Sequence, residues 1–193
     1  DGKLRLHVLS AEGGAVQTIG DGIDVRGAAS WSPDGKWLVA GGSQADGPGL
    51  FKIPIEGGPA VRLARGTALN PVWSPDDALI VYTGPNVSAF APLLAVHPDG
   101  ARADLPAIKV RRDGERARFS RDGKSLIYMQ GALRAQDFWL LDLATLKTRQ
   151  LTQLRQRDAM RTFDVSVDDT HLVFDRLRDN SDIVLIDLKG DQR

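Results

Sequence analysis

One sequence pattern occurs four times along the chain. The first copy is AASWSPDGKWLVA at residues 28–40, and the second is NPVWSPDDALIVY at residues 70–82. The third is RARFSRDGKSLIY at residues 116–128, and the fourth is TFDVSVDDTHLVF at residues 162–174. Their shared serines, Ser32, Ser74, Ser120 and Ser166, are separated by 42, 46 and 46 residues. A period of about 40–50 residues with short strands is typical of β-propeller blades.

Each copy predicts a strand, a tight turn and a second strand. The aspartate two residues after each serine can accept hydrogen bonds from nearby backbone N–H groups. The next residue is Gly35 or Gly123 in two copies, and Asp77 or Asp169 in the others. Glycine adopts positive φ readily, and aspartate tolerates it better than most residues. The apolar run that follows suits a strand covered on both faces.

Further strands complete each predicted blade. Third strands are predicted at Leu50–Ile55, Leu93–Val96, Phe138–Leu143 and Ile183–Leu188, and outer strands at Ala60–Leu63, Asp104–Ile108 and Thr148–Thr152. At the N-terminus, Leu4–Leu9 and Ala15–Ile19 match a third and an outer strand.

We therefore expect an all-β fold, a β-propeller of four-stranded antiparallel blades with about four blades present. The predicted domain is one propeller over residues 1–193, with a partial blade at 1–19, blades at 24–63, 69–108 and 115–152, and an incomplete blade at 161–188. We favour a part of a larger propeller over a small closed ring. Open blade faces would allow self-association with another copy.

The composition excludes several classes of function. The chain has 193 residues, with 25 Lys and Arg balanced by 25 Asp and Glu, which argues against a nucleic-acid partner. It has no cysteine, so disulfides, thiol nucleophiles and cysteine-ligated zinc are excluded. No apolar run approaches the roughly 18 residues of a membrane span, so we expect no membrane insertion by this segment.

The repeats resemble those of a known family. WSPDGK at residues 31–36 and WSPDD at residues 73–77 are similar to the repeats of TolB-type propellers, and related repeats occur in the propeller domains of prolyl oligopeptidase-like enzymes. The segments Arg161–Val165 and Phe174–Leu188 resemble the C-terminal propeller of membrane-anchored bacterial serine/threonine kinases. That resemblance implies an extracytoplasmic sensor or interaction domain. The kinase signatures are absent from this sequence, so kinase activity is not implied.

The candidate site residues are those expected at the mouth of the channel, where outer strands connect to the next inner strands. Loops on a rigid scaffold often carry function. The predicted ligand- or partner-contacting rim is Asp24, Asn70, Arg112, Glu115, Arg161 and Asp164. The arginine-rich stretch 109–118 has two interpretations, a solvated loop or a site that binds an anionic ligand or acidic peptide.

Two functions remain open from the sequence. The first is a non-enzymatic propeller that senses a ligand or binds a protein, with no cofactor. The alternative is a calcium-dependent, lactonase-like hydrolase; resemblance to such propellers implies Asp24, Asn70, Glu115 and Asp164 as the metal ligands. A second oxygen-rich group, Asp175, Asp179, Asn180 and Asp182, could supply part of a calcium site. Calcium would polarise a lactone carbonyl or activate water.

Overall fold

The regular elements in the described part of the chain are all β-strands. The computed structural model describes residues 2–112, 116–154 and 159–177. No helix long and apolar enough to cross a membrane occurs within these ranges. The strands are β1 (Leu6–Val8), β2 (Gln17–Ile19), β3 (Asp24–Trp31), β4 (Trp37–Gln44), β5 (Gly47–Pro54), β6 (Val61–Arg65), β7 (Leu69–Trp73), β8 (Ile80–Thr83), β9 (Phe90–Val96), β10 (Arg102–Ala103), β11 (Lys109–Arg111), β12 (Ala117–Phe119), β13 (Ser125–Ala132), β14 (Ala135–Asp142), β15 (Thr148–Gln150), β16 (Phe163–Val165) and β17 (Leu172–Phe174).

The strands form consecutive antiparallel sheets that confirm the predicted propeller. Strands β3 to β6 form the first blade and β12 to β15 the third, each in sequence order. The second blade contains β7, β8 and β9, with both β10 and β11 paired to β9. Strands β16 and β17 pair as the described part of the fourth blade, and β1 pairs with β2 at the N-terminus.

The outer strand of the second blade differs from the prediction. Asp104–Ile108 was expected to form it, but two short strands on either side of that segment pair with β9 instead. Pro106 lacks an N–H for a strand ladder, and its carbonyl accepts a hydrogen bond from the Ile108 N–H at 2.7 Å. This tight turn interrupts the outer strand. The predicted strand Ile183–Leu188 lies outside the described residues.

The four repeat turns share one hydrogen-bond arrangement. In each, the backbone N–H of the shared serine donates to the carbonyl five residues later, over distances of 2.8–2.9 Å. The serine hydroxyl also accepts the backbone N–H of that residue, as in Ser166 Oγ with the His171 N–H at 2.9 Å. In the first, third and fourth turns the aspartate accepts from both sides, as Asp168 Oδ1 does from the Ser166 hydroxyl at 2.5 Å and the Thr170 N–H at 3.2 Å; Asp76 in the second turn accepts the Ala78 N–H at 3.2 Å.

The turn also explains the exchange of glycine for aspartate. Gly35 and Gly123 have φ of 70° and 72°, and Asp77 and Asp169 have φ of 60° and 57° at the equivalent positions. The predicted positive φ is therefore confirmed in all four turns. The aspartates add contacts that glycine cannot: Asp77 accepts the Trp73 indole N–H at 2.7 Å, and Asp169 accepts the Arg121 N–H.

Neighbouring blades pack through alternating faces of their strands. Trp73 at the end of β7 joins Val39 and Leu50 of the first blade in one hydrophobic cluster. Val81, on the opposite face of the second blade, packs with Leu126 and Tyr128 of the third. The period-2 alternation of strand side chains therefore builds one apolar cluster at each blade boundary.

The same repeat positions show which blade faces are covered. Trp73 is 7% exposed where it packs against the first blade, but the equivalent Trp31 is 51% exposed. On the opposite face, Val39 and Val81 are fully buried, whereas the equivalent Val173 in the fourth blade is 68% exposed. The β1–β2 pair covers only part of the face that carries Trp31, through Leu6, Val8 and Ile19.

This difference predicts unequal effects of two matched substitutions. Trp73→Ala should lower the free energy of unfolding by about 3–5 kcal/mol, because it opens a cavity between two blades. Trp31→Ala should cost less than about half of that, because the transfer term scales with buried apolar area. Urea denaturation of both variants measures the difference. An equal loss that grows with protein concentration would show instead that another copy covers the Trp31 face.

The turn hydrogen bonds also predict a pH dependence. Hydrogen bonds from Ser166 and Thr170 lower the pKa of Asp168 from 3.8 to about 2. The same kind of hydrogen bonds lower the pKa of Asp34 and Asp122. Because the folded-state pKa is depressed, this stabilisation is complete above about pH 4 and is lost as the pH falls toward 2.

Asp168→Asn should therefore unfold at a lower temperature than the parent protein at pH 7, and the difference should vanish near pH 2. Thermal unfolding between pH 7 and pH 2 tests this. Asp21→Asn, which alters an exposed residue outside the four turns, is the matched control. A difference between Asp168→Asn and the parent that persists unchanged at pH 2 would contradict the expected linkage.

Candidate functional site

The four inner strands meet around a cavity. Strands β3, β7, β12 and β16 and the turns that follow them enclose about 430 Å³. The position two residues before each shared serine borders this cavity in all four repeats. Its lining comprises Ala28, Ala29, Ser30, Asn70, Pro71, Val72, Trp73, Pro75, Arg118, Phe119, Ser120, Arg121, Asp164, Val165, Ser166, Val167 and Asp169.

The lining combines apolar surface with groups of both charges. Arg118 Nε lies 3.3 Å from Asp164 Oδ1, and the Asp164 side chain is largely exposed. The Asp169 carboxylate accepts the backbone N–H of Arg121 at 3.0 and 3.1 Å. Val167 adds an exposed apolar side chain beside these charges. We call this space the channel cavity.

Three of the six predicted rim residues border one or both of two cavities. Asn70 and Asp164 border the channel cavity. Asn70 and Arg112 border a second cavity of about 250 Å³ near the beginnings of the inner strands. Asp24 and Arg161 border neither of these two cavities. Glu115 lies outside the described residues.

The two rim residues outside the cavities have identifiable contacts. Asp24 accepts the Leu4 N–H at 3.0 Å and pairs with Arg26 at 2.6 Å, so it holds the N-terminal segment against β3. The backbone N–H of Arg161 donates to Asp175 Oδ1 at 2.8 Å.

Sequence reasoning did not place the cationic residues of the channel cavity beside Asp164. Arg118 belongs to the stretch 109–118 for which the sequence leaves an anionic ligand open, but neither it nor Arg121 is among the predicted rim residues. The signal was available, because Arg118 occupies the same repeat position as Ser30, Val72 and Asp164. All four residues border one cavity once the blades surround a common axis.

Paired bulges shape the beginnings of two inner strands. The register of β3 shifts between Arg26 and Ala29, and that of β7 shifts between Leu69 and Val72. Asn70 lies in the second bulge with φ of 47°, and its Oδ1 accepts the Ala28 N–H at 2.9 Å. Bulges often redirect side chains beside functional sites.

The described residues do not assemble a metal centre. Within them, no group of three or more His, Cys, Asp and Glu side chains lies close enough to hold a metal ion. The three histidines make separate local contacts: His7 with Thr18, His97 with the Ala78 carbonyl, and His171 with Thr170. Three members of the second oxygen-rich group, Asp179, Asn180 and Asp182, lie outside the described residues.

Comparison with solved structures identifies the type of propeller. A protein assigned as TolB from Agrobacterium tumefaciens matches with a TM-score of 0.69 and 17% identity, over 90% of this chain and 63% of that one. TolB from Acinetobacter baumannii matches with a TM-score of 0.63 and 16% identity, over 88% of this chain and 42% of that one. The fold is that of the TolB-like propellers.

The TolB-like fold is shared with enzymes. Oligogalacturonate lyase from Vibrio parahaemolyticus matches with a TM-score of 0.64 and 16% identity, over 90% of this chain and 53% of that one. Another oligogalacturonate lyase, solved in complex with manganese, matches with a TM-score of 0.62 and 17% identity, over 83% of this chain and 50% of that one. No protein-family model matches the sequence, and no curated protein matches it.

These likenesses show the fold alone. The chain spans less than two thirds of each TolB protein and about half of each lyase. The matches support the TolB-like part of the sequence resemblance and give no support to the resemblance to kinase propellers.

The bulge contact yields a test with a matched control. Gly27 and Gly22 both have positive φ, of 76° and 81°, but a Cβ on Gly27 would lie 2.4 Å from Asn70 Oδ1 while one on Gly22 would meet nothing within 4 Å. Gly22→Ala should cost about 1 kcal/mol of stability from backbone strain. Gly27→Ala should cost about 1–3 kcal/mol more because of the added clash.

Chemical denaturation of both variants gives the comparison. Nuclear magnetic resonance should show displacement of the Asn70 side-chain amide only in Gly27→Ala. Equal stability losses with an unmoved Asn70 amide would contradict the contact.

Proposed function

We propose that this chain is a binding module whose channel cavity takes a peptide segment of a partner protein. The observation that carries the proposal is the convergence of one repeat position from four blades on a single cavity. A site built on rigid strands is well suited to binding, because little ordering is required when the ligand enters.

The mixed chemistry of the cavity favours a peptide over a purely anionic or purely apolar ligand. The cavity volume of about 430 Å³ can hold a peptide segment of only a few residues. Val72, Phe119 and Val165 supply apolar contacts, and Arg118 and Asp164 supply charges of opposite sign. A peptide offers apolar side chains, charges and backbone groups together, so it can satisfy this whole lining.

The alternative is a metal-dependent propeller enzyme. Its support is the fold shared with oligogalacturonate lyase, one example of which was solved with manganese. The calcium set predicted from sequence would need Glu115, which lies outside the described residues. Asp24 and Asp164 already pair with arginines, which compete with a metal for the same oxygens. The binding proposal requires neither metal nor catalysis.

The expected location belongs to the same proposal. A TolB-like fold together with a sensor or interaction role favours an extracytoplasmic position, as the sequence resemblance implies. A fusion of the complete natural protein to a reporter that is active on only one side of the membrane would test this expectation.

Peptides selected from a random display library on the parent protein give a direct test of the binding site. Asp164→Lys and Val167→Arg should each weaken the selected peptides about tenfold or more, because both substitutions place an unmatched cation in the cavity. Fluorescence anisotropy measures the dissociation constants. Val87→Arg is the matched control, because Val87 is 70% exposed, similar to Val167 at 77%, and lies outside this cavity.

Two outcomes would overturn the proposal. Selected peptides that bind Asp164→Lys and Val167→Arg as tightly as the parent protein would place the binding surface elsewhere. Hydrolysis of lactone substrates that requires added calcium and is abolished by a chelator would establish the enzymatic alternative.

A further inference from the structure

A third cavity lies near the outer strands of the first two blades. It has a volume of about 360 Å³ and is bordered by β6 of the first blade and by β8, β9 and residues 100–105 of the second. We call this space the outer cavity. It shares no lining residue with the channel cavity, so it can bind a ligand whether or not the peptide-binding proposal is correct.

The interruption of the outer strand at Pro106 shapes one wall of the outer cavity. Strand β10 pairs with β9 only through Arg102 and Ala103, and the next strand that pairs with β9 begins at Lys109. Asp104 and Leu105 lie in this gap and border the cavity. The departure from the predicted continuous strand therefore places these two residues at the cavity.

One part of the lining is apolar. Leu63 of β6 is 8% exposed and Val96 of β9 is 4% exposed, and both belong to the hydrophobic cluster between the first two blades. Leu94 and Leu105 are partly buried and add to this apolar surface. Such a surface favours a ligand with an apolar side chain, because binding removes both apolar surfaces from water.

A second part of the lining is the phenol of Tyr82. Tyr82 is 7% exposed, and its hydroxyl forms no hydrogen bond within the part of the chain that the structure describes. Among those residues, the fully enclosed side-chain atoms that lack a hydrogen bond are Arg62 Nε and Gln136 Nε2, so the Tyr82 hydroxyl is not fully enclosed and can be reached from the cavity that Tyr82 borders.

The Tyr82 hydroxyl keeps its proton at neutral pH. Burial raises the pKa of Tyr82, and the positive charge of Arg102 opposes this rise without reversing it. The phenol can therefore donate its O–H to a hydrogen-bond acceptor in the cavity.

The third part of the lining is a pair of opposite charges that do not contact each other. Arg102 and Asp104 both border the cavity, and neither forms an ion pair or a side-chain hydrogen bond with any residue of the described ranges. Both residues are exposed. Elsewhere an arginine and an aspartate two positions apart do pair, as Arg26 does with Asp24 at 2.6 Å. A ligand that carries one negative and one positive group can contact both unpaired charges.

We propose that the outer cavity binds a free α-amino acid with an apolar side chain. The carboxylate of the ligand accepts hydrogen bonds from the Arg102 guanidinium and the Tyr82 hydroxyl, and its ammonium group donates to the Asp104 carboxylate. Its side chain packs on the apolar part of the lining. The cavity volume lies at the lower end of the range of about 300–1,000 Å³ that is typical of small-ligand pockets, which fits a ligand of this size.

Titration with four small probes, followed by nuclear magnetic resonance of isotope-labelled protein, tests each part of the proposal. L-Leucine should bind with a dissociation constant in the millimolar range or tighter, because each exposed charge contributes little. N-acetyl-L-leucine lacks the positive group, L-leucinamide lacks the negative group, and L-serine lacks the apolar side chain. Each of these three probes should bind about fivefold more weakly than leucine, or weaker still.

Three variants assign the contacts. Arg102→Gln, Asp104→Asn and Tyr82→Phe should each raise the dissociation constant of leucine about fivefold. Tyr82→Phe should not lower the thermal unfolding temperature, because the hydroxyl that it removes has no hydrogen bond within the described residues, so its effect on binding is separable from any effect on the fold. Arg149→Gln in the exposed strand β15 and Asp21→Asn are the charge-matched controls and should leave the dissociation constant unchanged.

Other rankings of the probes would overturn the proposal. N-acetyl-leucine bound as tightly as leucine would indicate the carboxyl terminus of a peptide as the ligand, and leucinamide bound as tightly would indicate an amino terminus. Serine bound as tightly would show that the apolar surface makes no contribution. The proposal also fails if leucine does not bind, or if Arg149→Gln weakens its binding as much as Arg102→Gln does.

Discussion

The hydrogen-bonded turn around each shared serine is the constraint on which the rest of the structure depends. Its serine bonds to the residue five positions later through both its backbone and its hydroxyl, which fixes the register of the first two strands in each blade. A one-residue slip would send every side chain of the strand to the opposite face. Trp73 would then leave the cluster that it forms with Val39 and Leu50, and the contact between blades would be lost.

Because each blade packs against the next through a similar interface, the outer faces of the first and last described blades have no complete neighbouring blade over them. Internal boundaries bury both partners, as Val81 and Leu126 show. Trp31 and Val173 occupy the repeat positions that an adjoining blade would cover, and both are largely exposed. In repeat folds each unit contacts only its neighbours, so the stability of an end blade depends on what covers its outer face.

The sequence predicted what is local and missed what depends on distant segments. The turns were predicted correctly, including the positive φ of Asp77 and Asp169, because a turn is determined by a few adjacent residues. The prediction of a continuous outer strand at residues 104–108 was wrong, because the chain makes a tight turn at Pro106. The approach of Arg26 to Arg112 requires a bulge in β3 and the packing of two blades, and neither has a signal in the spacing of the repeats.

One repeat position shows how a uniform scaffold acquires different chemistry. The residue four positions before the shared serine is Ala28, Asn70, Arg116 and Thr162 in successive copies. Asn70 reaches back to the Ala28 N–H in the preceding blade, while Arg116 reaches forward to the Met160 carbonyl. The Arg116 guanidinium also donates to the carbonyls of Arg111 and Arg112. Burying the Arg116 guanidinium costs free energy that an apolar side chain would not, and its hydrogen bonds offset that cost. Because those bonds fix the backbone of Arg111 and Arg112, a residue buried between blades sets the geometry of a surface cavity.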